Sequence, residues 1–129
     1  MASTVQSRKA KGRRFQQYIA KRISELLGIP WGSEELIRSR EMGQKGVDVV
    51  LIGEALERLN LAIECKNQEK FNIPAWVKQT KENQKEGTEW ALFCKRNHED
   101  PIVIISDEYF WKLQEELIKW RETYDPKRL

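Results

Sequence analysis

Two apolar, β-branched runs in this 129-residue chain each carry an acid. The first is Gly46-Val47-Asp48-Val49-Val50-Leu51. The second, after a short insert, is Leu61-Ala62-Ile63-Glu64-Cys65-Lys66. Side chains alternate faces along a strand, so Glu64 and Lys66 share one face and Cys65 takes the other. If the two runs pair across the 53–60 connection, Asp48 comes beside Glu64. Two carboxylates and one ammonium then converge at the edge of an otherwise apolar sheet. Such a cluster suits a hard divalent cation held by oxygen ligands, and the chemistry it offers is metal-assisted cleavage of a phosphodiester.

The pattern Glu-x-Lys carries little information by itself. A second acid-x-Lys, Asp125-Pro126-Lys127, lies in a polar tail with a proline and is set aside. The bland account of the first is an edge-strand ion pair between Glu64 and Lys66, worth ~0–1 kcal/mol. That account leaves Asp48 unexplained, because an unpaired carboxylate among Val47, Val49 and Val50 is costly to bury.

The elements that must position these residues are legible from periodicity. Phe15, Tyr18, Ile19, Ile23, Leu26 and Leu27 recur at three- and four-residue spacing, which predicts a helix over 7–27 that Gly28 and Pro30 stop. Residues 29–46 form a connection with a short strand near 36–39. Gly43 and Gly46 flank Gln44 and Lys45 as a turn before the strand 47–51. The insert 53–60 reads as either a helical turn or a hairpin loop, and strand 61–66 follows it. Pro74 starts a helix running to about Glu86, with Trp76, Val77 and Thr80 on its apolar side and Gly87 at its end. Two strands, 90–93 and 102–106, precede a last helix that Ser106 caps and whose stripe is Phe110, Leu113, Leu117 and Trp120. The order predicts an α/β fold, a central mixed β-sheet flanked by helices, in a single domain over 1–129, with 1–7 and 124–129 loose.

Composition sets the class. Hydrophobic residues are 40% and charged residues 33%, as in a well-charged globule. No apolar run reaches the ~18–20 residues that span a bilayer, and the polar, basic N-terminus does not read as a secretory signal. The expected location is the cytoplasm, with Cys65 and Cys94 as buried, reduced thiols. One histidine, His98, and no Cys-x-x-Cys exclude a zinc site; His98 itself reads as an exposed loop residue. The net charge of +3 hides an asymmetry: Met1–Arg22 holds seven basic residues and no acid. A segregated positive block is the footprint of a polyanion-binding surface. Lys9, Lys11, Arg13, Arg14 and Arg40 are the candidate phosphate contacts, which position DNA without reading its sequence.

Gly46-Val47-Asp48 followed by Ile63-Glu64-Cys65-Lys66 resembles the PD-(D/E)xK nuclease superfamily, with its restriction-endonuclease-like core. The helix opening Arg8-Lys9-Ala10-Lys11-Gly12-Arg13-Arg14-Phe15, together with Arg40 and the approach Met42-Gly43-Gln44-Lys45-Gly46, resembles the archaeal-type Holliday junction resolvases and their phage-encoded relatives. The resemblance covers roughly 8–106. It implies Asp48, Glu64 and the Cys65 backbone carbonyl as ligands of Mg²⁺, with Mn²⁺ able to substitute. It implies Lys66 as the group that orients the attacking water, and products with 5′-phosphate and 3′-hydroxyl ends. The family often carries a glutamate four residues after the Lys-Gly pair; here that position is Gln16, and Glu25 or Glu41 are alternative completions of the site.

Gln79, on the helix after Lys66, is a candidate for the site or for DNA. Trp31 and Phe71 are either exposed wedges or core packing. The expected function is a homodimeric endonuclease that resolves four-way junctions in branched DNA by paired symmetric nicks. A two-fold junction matches a C2 dimer, and a chain this small reads shape and backbone rather than sequence. The rival readings are another nuclease of the superfamily, restriction-like or acting on flaps in repair, and a catalytically inactive DNA-binding module.

Overall fold

The computed structural model describes residues 4–41, 45–124 and 127, so Met42, Gly43, Gln44 and most of the tail expectations lie outside the described residues. Thr4 opens helix α1 (Val5–Leu27): its hydroxyl accepts from the Ser7 N–H, and Gly28 closes the helix at φ 69°. Residues 5–7 are therefore helical rather than loose. The covered face of α1 is Phe15, Gln16, Ile19, Ala20 and Ile23. Tyr18 was expected in this stripe but lies on its flank, 46% exposed.

Five strands follow in spatial order: β1 (Ile37–Ser39), β2 (Val49–Leu51), β3 (Leu61–Asn67), β4 (Glu89–Lys95) and β5 (Ile102–Ile104). Only β3 and β4 are parallel; the other neighbours are antiparallel. The insert after β2 is a short helix, α2 (Glu54–Leu59), closed by Asn60 at φ 50°. A parallel pair requires a crossover, and helix α3 (Ile73–Glu82) supplies it. Asn72 caps α3, with Pro74 in its first turn.

The period of two along β3 divides the core. Ile63 and Cys65 pack with Phe15, Ile19 and Val49 on the α1 side. Trp76 of α3 packs with Leu92 and Cys94 on the other side, joined by Phe71, Ile73 and Val77. Phe71 meets the Trp76 ring edge-on at 5.3 Å, and the Arg96 guanidinium lies 4.2 Å over its face, so core packing is the outcome for Phe71. Both cysteines are free and buried, and burial pushes both thiols up.

Several boundaries differ from the sequence expectation. The strand expected over 90–93 is Glu89–Lys95, the one expected over 102–106 is Ile102–Ile104, and two differences lie beside the acidic residues. Strand β2 begins at Val49, because Val47 and Asp48 bend out of the regular ladder even though the Asp48 main chain stays bonded. Helix α3 ends at Glu82 instead of Glu86. The Asn83 N–H bonds back to Gln79 and Lys81, and Gly87 (φ 83°) serves the next turn. The last helix, α4 (Asp107–Tyr124), has the predicted Ser106 cap, donated to by the Tyr109 N–H at 3.0 Å. The expected stripe lies along it, yet no described residue of α4 is buried. Helices α1 and α3 already occupy the two faces of the sheet, and the periodicity of α4 says nothing about whether a face is left for it. No helix of the described residues is long and apolar enough to cross a membrane.

Candidate metal-dependent active site

Val49 pairs with Ile63 across the antiparallel β2–β3 ladder, and Asp48, just before that rung, brings its carboxyl within hydrogen-bonding reach of Glu64. Glu64 alternates with Ile63 and Cys65 and so projects away from α1, toward Asn83 at the end of α3. The main chain at Asp48 is clamped from both sides. Its N–H donates to Ile63 O and its carbonyl accepts from the Arg40 N–H, each at 2.8 Å. The side chain is fixed as well, since Asp48 Oδ2 accepts from the Cys65 N–H at 2.8 Å.

Arg40 reaches over the approach to this acid. Its Nε donates to the Val47 carbonyl at 2.5 Å, and its guanidinium lies where any side chain at Gly46 would stand, 3.1 Å from an added Cβ. Gly46 also adopts φ 106°, which disfavours other residues. The glycine thus lets an arginine lock the turn that delivers Asp48.

Glu64 is 2% exposed, and Asn83 Nδ2 donates to its Oε1 at 2.7 Å. Burial first, and then the facing Asp48 carboxyl, raise its pKa from 4.5 to about 8, while the Asn83 amide and the Lys66 charge act the other way. A buried acid facing a second acid is short of positive charge. Asp48, Glu64, Cys65 and Lys66 line one cleft of about 520 Å³ with Gln16, Gln79, Arg8, Lys11 and Gly12. The cleft opens toward the C-terminal end of β3, the end at which parallel strands offer ligand sites.

The donor set fits a hard divalent cation: two facing carboxylates, an amide and main-chain oxygens nearby, and no soft ligand. Among the described residues no third His, Cys, Asp or Glu side chain joins the pair. The rest of a coordination shell has to come from neutral oxygens and water. Of the three residues considered as completions, only Gln16 lines the cleft, buried, with its Oε1 accepting from Ser39 Oγ at 3.1 Å. Glu25 pairs with Arg22 at 3.6 Å farther along α1. Glu41 lines a separate cleft with Lys9, Arg13, Trp31 and Arg40.

The basic residues of α1 divide around the helix. Lys9 and Arg13 face the cleft beside Trp31, which is 36% exposed. Arg14 faces a third cleft with Tyr18, Lys95 and the exposed turn residue His98, and Lys11 and Asn67 border both that cleft and the acidic one. Sequence reading passed over Arg8, Asn67 and Asn83. Arg8, Gly12 and Gln16 are four residues apart and share a helix face, which was a usable signal. Asn67 Oδ1 is buried with no donor among the described residues, beside the site. Asn83 left no signal, because its reach to Glu64 depends on where α3 ends.

A family model described as phage putative PDDEXK endonuclease matches residues 7–126. No curated protein and no solved structure matches the chain. The five-stranded mixed sheet with its flanking helices is the restriction-endonuclease-like α/β core that this match implies.

Proposed function

The chain belongs to the phage PDDEXK endonuclease family, and we propose that within it this protein is a structure-selective DNA endonuclease that resolves four-way junctions as a homodimer. One observation carries the reading: the Asp48 and Glu64 carboxyls meet beside Lys66, in a cleft whose other wall is the basic opening of α1. Asp48, Glu64 and the Cys65 carbonyl would hold the cation, Mg²⁺ as the physiological ion with Mn²⁺ as a substitute. When bound, the cation supplies neutralisation of the phosphate and a more acidic water.

The chain's own residues do the rest. The Cys65 N–H and the Asn83 amide fix the two carboxylates, so little reorganisation is left for the reaction. Lys66 projects from the same face of β3 as Glu64 and offsets charge that develops on the phosphate. Gln16 presents a neutral oxygen where a third acid would add charge. Lys9, Lys11, Arg13, Arg14 and Gln79 seat the backbone, and Arg40 contributes through the turn that it locks. A two-fold junction cut symmetrically requires two such sites on one assembly. The products carry 5′-phosphate and 3′-hydroxyl ends.

The test is a panel of four-way junction, flap, duplex and single-stranded DNA with Mg²⁺, using wild type beside Asp48→Asn and Glu64→Gln. Paired symmetric nicks confined to the junction are expected, abolished by EDTA. Each substitution should lower the rate by on the order of 10³-fold with binding retained. Cleavage of flaps or linear duplex in preference to the junction would reassign the substrate within the superfamily. Nicking that survives Glu64→Gln would remove the assigned site.

A further inference from the structure

Helix α4 is the one long element that the chain itself leaves uncovered among the described residues. Its Phe110, Leu113, Leu117, Trp120 and Tyr124 are 39–69% exposed. They recur at spacings of three, four, three and four, the seam with which one helix packs against another helix. Trp111 and Ile118, seven residues apart, widen the apolar arc and are 63% and 49% exposed. Strand β5, at the sheet edge, adds Ile102 and Val103 at 51% and 50%.

A solitary 18-residue helix is marginal in water, and one rich in aromatic and branched residues is weaker still. Ion pairs of Lys119 with Glu115 and Glu116 are worth a few tenths of a kcal/mol each. The Lys112 pair with Glu89 at 3.3 Å anchors only its first turns. The stability of α4 must therefore come from covering its seam.

We infer that the α4 seam and the β5 edge are where two copies of this chain join, α4 packing against α4 across a two-fold axis. Two observations select a second copy, and a third argues against anionic covers. The seam calls for a helix, and α4 of another copy is the helix that carries the matching, uncovered seam. The nine exposed apolar residues of β5 and α4 leave on the order of 1,000 Å² open, against about 800 Å² per partner in a standard interface. Five acids against three bases give α4 a charge of −2, which disfavours nucleic acid or an anionic membrane as the cover. The inference deepens the junction reading by naming the surface that couples its two sites, and it is testable without DNA or metal.

Sedimentation of the full chain at tens of micromolar should give twice 15.3 kDa. Leu117→Glu should return the protein to the single-chain mass by weakening association at least 100-fold. Trp111→Ser with Ile118→Ser, which adds no charge, should weaken it in the same direction and covers the case where Leu117→Glu fails to fold. Because Cys65 and Cys94 are buried, Leu117→Cys introduces a lone accessible thiol, and it should form an interchain disulfide under mild oxidation. Amide exchange along α4 should slow at least tenfold as protein concentration rises. A wild-type monomer at these concentrations overturns the inference, as does a dimer indifferent to all of these substitutions. Junction-specific nicking by a dimer joined elsewhere would overturn this inference alone; a dimer joined here that cuts only linear DNA would overturn the junction reading alone.

Discussion

Helices α1 and α4 are both amphipathic and both carry aromatic residues at helical spacing, yet the sheet covers one stripe and leaves the other open. Phe15 on α1 is 3% exposed and Phe110 on α4 is 42% exposed. The covered helix sits over β1, β2 and β3, and its opening turns wall the acidic cleft. The uncovered one begins beyond the edge strand, past the last position where the sheet offers a face. Periodicity specifies that a helix has an apolar side; the number of free faces in the fold decides what that side meets. The same physical pattern thus builds one wall of the acidic cleft near one end of the chain and an open apolar face near the other.

The comparison breaks most sharply at the two phenylalanines. Phe15→Ala should cost about 3–5 kcal/mol, independent of protein concentration, because it empties a closed site beside Ile19 and Val49. Phe110→Ala should cost within about 0.5 kcal/mol in dilute, monomeric protein, as exposed positions do. Its cost should grow with concentration if a second copy covers it. Urea unfolding of both variants at two protein concentrations reads the difference. Equal costs at both positions would show that exposure in the single chain does not measure how each helix is held.

Covering a helix also buries what lies next to it, and Glu64 carries the consequence. Its folded pKa of about 8 lies above the unfolded 4.5, so between those values the folded state holds a proton that the unfolded chain has lost. Stability in EDTA should then fall as pH rises through that window, by up to about 1.4 kcal/mol per pH unit, with the full stability present below 4.5. Glu64→Gln should flatten the slope. A divalent cation should restore stability at the alkaline end, where it competes with no proton. Parallel urea titrations at pH 5 and pH 8 (with and without Mg²⁺) measure this, and identical midpoints in EDTA would remove the facing acids as its source.

Much of this was legible in the sequence, and the reasons for the rest are physical. The period of two in 61–66 and the acid in 47–51 were enough to anticipate that Asp48 comes beside Glu64, since register in a buried strand is set by which residues face the core. Gly28, Pro74 and Ser106 marked helix ends through local backbone chemistry that requires no tertiary knowledge. The end of α3 was misread because Gly87 looked like its stop, whereas the Asn83 N–H closes it four residues earlier. The clamp of Arg40 on Val47 and Gly46 was invisible for another reason. Nothing in the sequence distinguishes an arginine whose Nε bonds a nearby carbonyl from one that only faces solvent.

Asn83 is the finest of these distinctions, because it joins a covered helix to the buried acid Glu64 through a single hydrogen bond. Trp76 and Thr80 bury α3 against β4, and the helix ends where the Asn83 amide meets Glu64 Oε1. Outer-shell partners of this kind typically contribute 10–100-fold to metal affinity or activity, so Asn83→Ala should slow cleavage by about that factor. A purely structural asparagine would lower thermal stability and leave the pH profile alone. A positioning asparagine also steadies the ionised form of Glu64, so its loss should move the acidic limb of the rate profile to higher pH. Asn83→Gln, with the same amide on a longer arm, should recover part of the rate only if the bond can re-form. An unshifted limb with an unchanged rate would reduce Asn83 to a helix cap, and the contrast between covered and uncovered helices would then concern stability alone.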